Sequence, residues 1–201
     1  MRSLTLDDLL PLEEYVSRRR EFHDTLQRYL DRYRRVRIGP RATLVFENRQ
    51  TLWYRIHEVI RIARLAEPRL VQRELDLFNR LLPDKGCLQA ALLLHVNEDG
   101  DWHHEMSRWQ GLLGDHLRLQ LGALHIAAHL VTSRPEDRCI GTAHWVQFHL
   151  DASARRALGD FHKSAYFEIG LADYQHASPH LTDDLRQSLL DDLMLSEKHS
   201  A

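Results

Sequence analysis

The hydrophobic period changes once along this chain, and that change constrains the fold more than any other feature. Up to about residue 81, apolar residues recur at i, i+3, i+4 and i+7. From Cys87 onward they come in short continuous or alternating runs. Helices first, then mostly strands, then a terminal helix is the order of an α+β fold, not of an alternating βαβ fold. The expected architecture is a helical N-terminal part packed on an antiparallel β-sheet, closed by a C-terminal helix. It forms one domain over 1–195, with a frayed tail at 196–201.

The segments follow from local chemistry. Thr5 and Asp8 have capping-box spacing, with Asp for the usual Glu. A long helix is expected over Leu12–Arg35, with Leu12, Tyr15, Val16, Phe22, Leu26, Tyr29, Leu30 and Tyr33 along its apolar seam. Gly39-Pro40 ends it. Thr43–Phe46 reads as a strand, Arg49–Leu65 as a second helix and Leu70–Leu81 as a third. Cys87–Val96 reads as a buried strand and Trp102–Leu113 as a helix stopping at Gly114. Strands are expected over 116–121, 123–131, 141–150 and 164–169. Asp151 or Ser153 caps a short helix to Leu158, and Leu181–Leu195 is a last amphipathic helix.

Composition excludes several classes. With 43% hydrophobic residues the chain can fill a core, which excludes wholesale disorder. A formal charge of −2 excludes a strongly basic coat protein and argues against nucleic acid as a partner. No run of about 18 apolar residues exists, so no membrane span is expected. The N-terminus is acidic too early for a signal peptide. Cys87 and Cys139 lie 52 positions apart in no metal-ribbon spacing, which suits a reducing, cytoplasmic compartment. There is no phosphate loop, GxSxG elbow, HExxH or GxGxxG. Residues 18–41 hold nine Arg, while 181–201 hold five acidic residues against Arg186 and Lys198. The two stretches are expected to be solvated faces or to attract each other, and the basic one could meet an acidic partner.

A few polar residues stand out. Arg19 sits on the apolar seam of the first helix, so it must snorkel, pair with Glu47, Glu58 or Glu74, or clamp an anion. Glu58 and Arg61 have i, i+3 ion-pair spacing. Glu47 precedes a helix, where it can cap the first amides or serve as a base or ligand. A polar pocket would draw on Arg19, Glu47, Arg49, Glu58, Arg61, Glu74 and His144. Fourteen histidines raise a metal or haem reading, with His125, His129 and His144 as candidate ligands, though they have no local ligand spacing. His125 and His129 share a face if 123–131 is one strand.

Arg35-Val36-Arg37-Ile38-Gly39-Pro40, followed by Thr43 through Thr51, resembles the bacterial domain-of-unknown-function family 3501. Leu4-Thr5 with Asp8-Leu9, Arg19, Trp53-Tyr54 with Glu58 and Arg61, Glu74-Leu75-Asp76 with Asn79, and Ala143-His144-Trp145-Val146 with Phe148 extend the resemblance over nearly the whole chain. The chain departs from the pattern at Arg55, His57, Ala63 and Gln147, which puts a family site at those positions in doubt. The resemblance carries no established activity. By association it implies an accessory role in a redox or oxidative-stress system, with a rubrerythrin-like or iron–sulfur oxidoreductase partner. The alternatives are an enzyme or small-molecule or anion binder with an Arg-Glu-His pocket, and a His-ligated metal or haem protein. A homodimer suits a helix-flanked sheet of this size.

Overall fold

The structure is a computed structural model that describes residues 1–95, 107, 109, 111–131 and 143–198, with side chains through 194. Most of the helix expected over 102–113 lies outside the described residues, as does Cys139. Five helices and nine strands are described: α1 (Leu12–Tyr33), β1 (Arg35–Ile38), β2 (Ala42–Phe46), α2 (Arg49–Ala63), α3 (Pro68–Asn79), β3 (Cys87–Leu94), β4 (Leu117–Leu121), β5 (Leu124–Ala127), β6 (His129–Val131), β7 (Ala143–His149), α4 (Ala152–Gly159), β8 (Ala165–Leu171), β9 (Tyr174–Ala177) and α5 (Asp183–Lys198). The fold is α+β, but the strands form two antiparallel sheets where one was expected. One has the order β1-β2-β3-β7-β6 and the other β5-β4-β8-β9.

The inner face of the five-stranded sheet and the four-stranded sheet share one core. Phe46, Phe148 and Phe167 meet there, with Leu185, Leu189 and Leu193 of α5. The outer face of the five-stranded sheet lies under α1, where Leu26 and Leu30 pack on Val45. A second core joins α2 and α3 to the N-terminal segment through Leu4, Ile56 and Leu75. The opposite charges at the two ends do meet. Arg32 pairs with Asp184, and Arg34 with Asp192 on α5.

Three differences from the sequence reading have local causes. The helical period stops at Tyr33, and Arg35–Ile38 forms β1, whose Val36 and Ile38 alternate inward. The expected strand over 123–131 breaks at Ala128, whose N–H turns to the Leu117 carbonyl. Thus β5 and β6 belong to different sheets. The β8–β9 hairpin turns on Ala172, at φ 48, without the Gly or Asn that signals such a turn. As expected, Asp151 caps α4, accepting from the Ala154 amide at 2.7 Å. The other end of α4 is closed by the buried Arg186 guanidinium, which donates to the carbonyls of Ala157, Leu158 and Asp160.

Gly39 makes the β1–β2 turn possible. Its φ is +65, and a Cβ would lie 2.5 Å from the His176 ring and 2.7 Å from the Tyr174 hydroxyl. Tyr174 in turn accepts from the Arg41 amide at 3.1 Å and donates to the Ile38 carbonyl, tying β9 to that turn. Gly39→Ala is expected to cost about 2–4 kcal/mol, from left-handed strain plus overpacking. Urea denaturation would measure the loss, with an unchanged slope.

Candidate functional site

Side chains on an antiparallel ladder alternate faces, so register sorts the residues of the five-stranded sheet. On the outer face, Arg37, Thr43, Leu93 and Ala143 make one row. Arg35, Val45, Ala91, Trp145 and Val131 make the next. Glu47 extends β2 by donating its amide to the Gln89 carbonyl at 2.8 Å. Glu47, Gln89, Gln147 and His129 therefore form a third, wholly polar row. Cys87 and His149 face each other beyond it.

This polar row is the densest buried polar feature of the sheet. The Glu47 side chain is 0% exposed, and its two oxygens meet the Arg55 guanidinium at 2.6 Å and the Thr51 hydroxyl at 2.5 Å. Arg55 reaches down from α2 and also lies over the Trp145 ring, 5.6 Å from its centroid. Gln89 is 1% exposed, and its Oε1 accepts from Gln147 at 2.8 Å. Its Nε2 has no partner. Flipping both amides would leave the Gln89 oxygen unpaired instead, so one buried polar atom of Gln89 goes unsatisfied in either orientation. Burial falls along the row, from Glu47 and Gln89 through a half-buried Gln147 to an exposed His129. Next to it, Cys87 Sγ lies 2.9 Å from His149 Nδ1, and the His129 and His149 rings are 5.1 Å apart. Burial pushes the Cys87 thiol up, with Asp84 adding to the shift.

The residues singled out in the sequence fall in several places. Arg19, Glu58 and Arg61 come together at the α1–α2 seam. Arg19 grips Glu58 with two bonds of 2.8 and 2.9 Å, Arg61 adds two at 2.9 and 3.3 Å, and the Tyr15 hydroxyl donates one at 2.7 Å. Arg19 is thus half of a structural ion pair, on a carboxylate whose lone pairs are taken. Arg49 lies 2.6 Å from Asp8, and Glu74 is half-buried on α3. Glu47 does not cap α2. Asn48 does, accepting from the Gln50 and Thr51 amides. His144 lies on the inner face opposite Leu92, and His125 is exposed in the other sheet. His129 is on the outer face, so the expected trio of His ligands does not converge. Among the described residues, no three His, Cys, Asp or Glu side chains stand where they could hold a metal.

Of the four departures, Gln147 belongs to the polar row, Arg55 reaches from α2 onto its Glu47, and Ala63 is exposed at the end of α2. His57 is buried between Tyr15 and Trp53. Its Nε2 accepts from the Leu10 amide at 3.0 Å, so Nδ1 carries the proton and donates to the Trp53 carbonyl at 2.7 Å. Burial holds its pKa below the ordinary value. Sequence reasoning missed Gln89, although it and His95 are the two polar residues inside the apolar run from Cys87 to Val96.

The Glu58 cluster makes an acid-range prediction. Arg19, with Arg61 and Tyr15, lowers the Glu58 pKa from its ordinary 4.5 to about 2. Arg49 and the Thr5 amide similarly lower Asp8 from 3.8 to about 2. A depressed carboxylate stabilises the fold above its unfolded pKa, and that contribution disappears as pH falls through the folded one. Stability is therefore expected to drop between pH 4.5 and about 2. Glu58→Gln is expected to cost about 1–3 kcal/mol at neutral pH and to flatten that drop, as read by urea midpoints across the range.

Comparison with known proteins came out as follows. The family model described as a protein of unknown function, DUF3501, matches residues 3–193. A solved structure of a novel protein of unknown function from Burkholderia pseudomallei K96243 is similar, with 26% identity and a TM-score of 0.86. That match covers 96% of this chain and 100% of the other. No curated protein matches the chain.

Proposed function

The chain belongs to DUF3501, a family of proteins of unknown function, and we propose that it is a cytoplasmic protein that binds a small polar molecule on the outer face of its five-stranded sheet. The unpaired, buried amide of Gln89 carries this reading. Leaving such a group unsatisfied costs about 1–3 kcal/mol, and native proteins keep few of them. A ligand offering a hydrogen-bond partner there would recover that cost. Arg55 over Trp145 supplies a cation and an aromatic face beside it. Glu47 holds Arg55 in place, and the half-buried Gln147 and exposed His129 mark the side open to solvent.

No helix among the described residues is long and apolar enough to cross a membrane, in keeping with this reading. Gln89→Met removes the unsatisfied group while keeping its shape. The expected outcome is a melting temperature unchanged or raised by about 2–4 °C, with loss of ligand-induced stabilisation. A thermal-shift screen of polar metabolites on both proteins is the measurement. A ligand that stabilises the two equally would sink the proposal.

The thiol–imidazole pair favours a second reading, an accessory role in a redox or oxidative-stress system. Cys87 Sγ lies 2.9 Å from His149 Nδ1, so a thiol and an imidazole stand within hydrogen-bond reach of each other. A rubrerythrin-like or iron–sulfur oxidoreductase partner is then expected in pull-downs from peroxide-stressed cells, with recovery reduced for Cys87→Ser. Recovery of no redox enzyme, or equal recovery by the variant, would count against it.

A further inference from the structure

Five of the nine arginines of the basic stretch pair with carboxylates among the described residues. Arg18 pairs with Glu14 and Glu21, Arg19 with Glu58, Arg32 with Asp184, Arg34 with Asp192 and Arg35 with Asp31. Arg37 has no carboxylate partner among the described residues. It lines a cavity of about 450 Å³ on the outer face, with Arg35, Thr43, His95, Pro40 and Leu93. No carboxylate is among the described residues lining it.

The cavity is set by the sheet. Arg37, Thr43 and Leu93 are register partners on β1, β2 and β3, so three adjacent strands fix the floor. His95 follows β3, and its amide donates to the Arg41 carbonyl at 2.7 Å. The Thr43 hydroxyl lies 3.0 Å from His95 Nε2 and fixes the imidazole, whose other nitrogen has no partner among the described residues. Arg35 is held by Asp31 and by Gln27 at 2.9 Å, which keeps its guanidinium at the rim. The Arg37 guanidinium, an imidazole and a hydroxyl, with no carboxylate among the described lining residues, are suited to an oxyanion with several acceptor oxygens, while Arg35, already paired with Asp31, adds only its remaining donor at the rim. Pro40 and Leu93 add an apolar wall, and the volume lies within the ~300–1,000 Å³ of small-molecule sites. Arg20, exposed on α1, is likewise without a carboxylate partner but lines no such cavity, which makes it an internal control.

We propose that the cavity at the β1–β2 turn binds the phosphate group of a small organic phosphate, with Arg37 as its principal anchor. The site is separate from the Gln89 row and stands whether or not that row binds a ligand. The test is an amide NMR titration with inorganic phosphate and with phenyl phosphate, at constant ionic strength and pH. Saturable shifts are expected at Gly39, Thr43 and His95, with phenyl phosphate the tighter of the two. Arg37→Gln is expected to weaken both by about tenfold or more, while its spectrum otherwise overlays the wild type. Arg20→Gln is expected to bind as wild type. Shifts that never saturate, wild-type affinity in Arg37→Gln, or an equal loss in Arg20→Gln would each overturn the phosphate site. Phenyl phosphate binding no tighter than phosphate would overturn its assignment to an organic ligand.

Discussion

The buried ion pair between Arg34 and Asp192 is the constraint on which the rest depends. Both side chains are almost wholly out of water, at 3% and 4% exposure. Arg34 stands where α1 becomes β1, and its carbonyl accepts from the Phe46 amide, which starts the β1–β2 ladder. Its Nε donates to the Tyr29 hydroxyl, which also accepts from the side chain of Asn48, the cap of α2. Asp192 comes from α5 at the far end of the sequence. One desolvated charge pair thus joins the end of α1, the first hairpin, the start of α2 and the C-terminal helix. Burial pushes the Asp192 carboxyl up, against the pull of Arg34. Such a pair adds little net stability over an apolar replacement, but losing one partner costs about 3–5 kcal/mol, so both members are committed together.

The same logic of placement runs through the outer face of the five-stranded sheet. The row at Val45 is covered by Leu26 and Leu30 of α1. The next row is polar, and its burial is tolerated because α2 brings Arg55 and Thr51 down onto Glu47. Glu47 Oε1 has Arg55 beside it as an ion-pair partner, whereas Gln89 Nε2 is left unmet, inside a strand that is otherwise apolar. At the other end of the face, the strand that carries Arg37 leaves a cation beside a cavity instead of a carboxylate. Both features depend on strand register, so they are held more rigidly than loop-borne sites would be.

Much of this was legible in the residues. The helical seam of α1, the Glu58–Arg61 spacing and the Asp151 cap are short-range patterns, and the structure follows them except at Val16, which stays 50% exposed. Arg19 on an apolar seam pointed to a partner, and Glu58 was one of three carboxylates within its reach. Other features were not legible. Glu47 before a helix looked like a cap, but the neighbouring Asn48 took the amides and left Glu47 to α2's side chains. His125 and His129 looked like partners on one strand until Ala128 sent them to different sheets. Gly114 shows how tight that crossing is: a Cβ there would lie 1.9 Å from the Ala128 carbonyl.

By itself, then, the sequence determined what neighbours along the chain can decide. That covers the class of fold, most of the helices and the Asp151 cap, with the meeting of the basic and acidic ends as one of two readings. Period, capping and i, i+3 spacing act over a few residues and need no knowledge of the rest. Only the tertiary structure decided which strands share a sheet and which residues share a row. It was also tertiary structure that placed Arg55 against Glu47, Cys87 against His149, and Arg37 in a cavity with no carboxylate among its described lining residues. Those outcomes depend on strand pairing between segments up to about 60 residues apart, as between β3 and β7. A one-residue shift of register would turn every side chain to the other face, and which two distant segments pair is not written in either segment's own pattern.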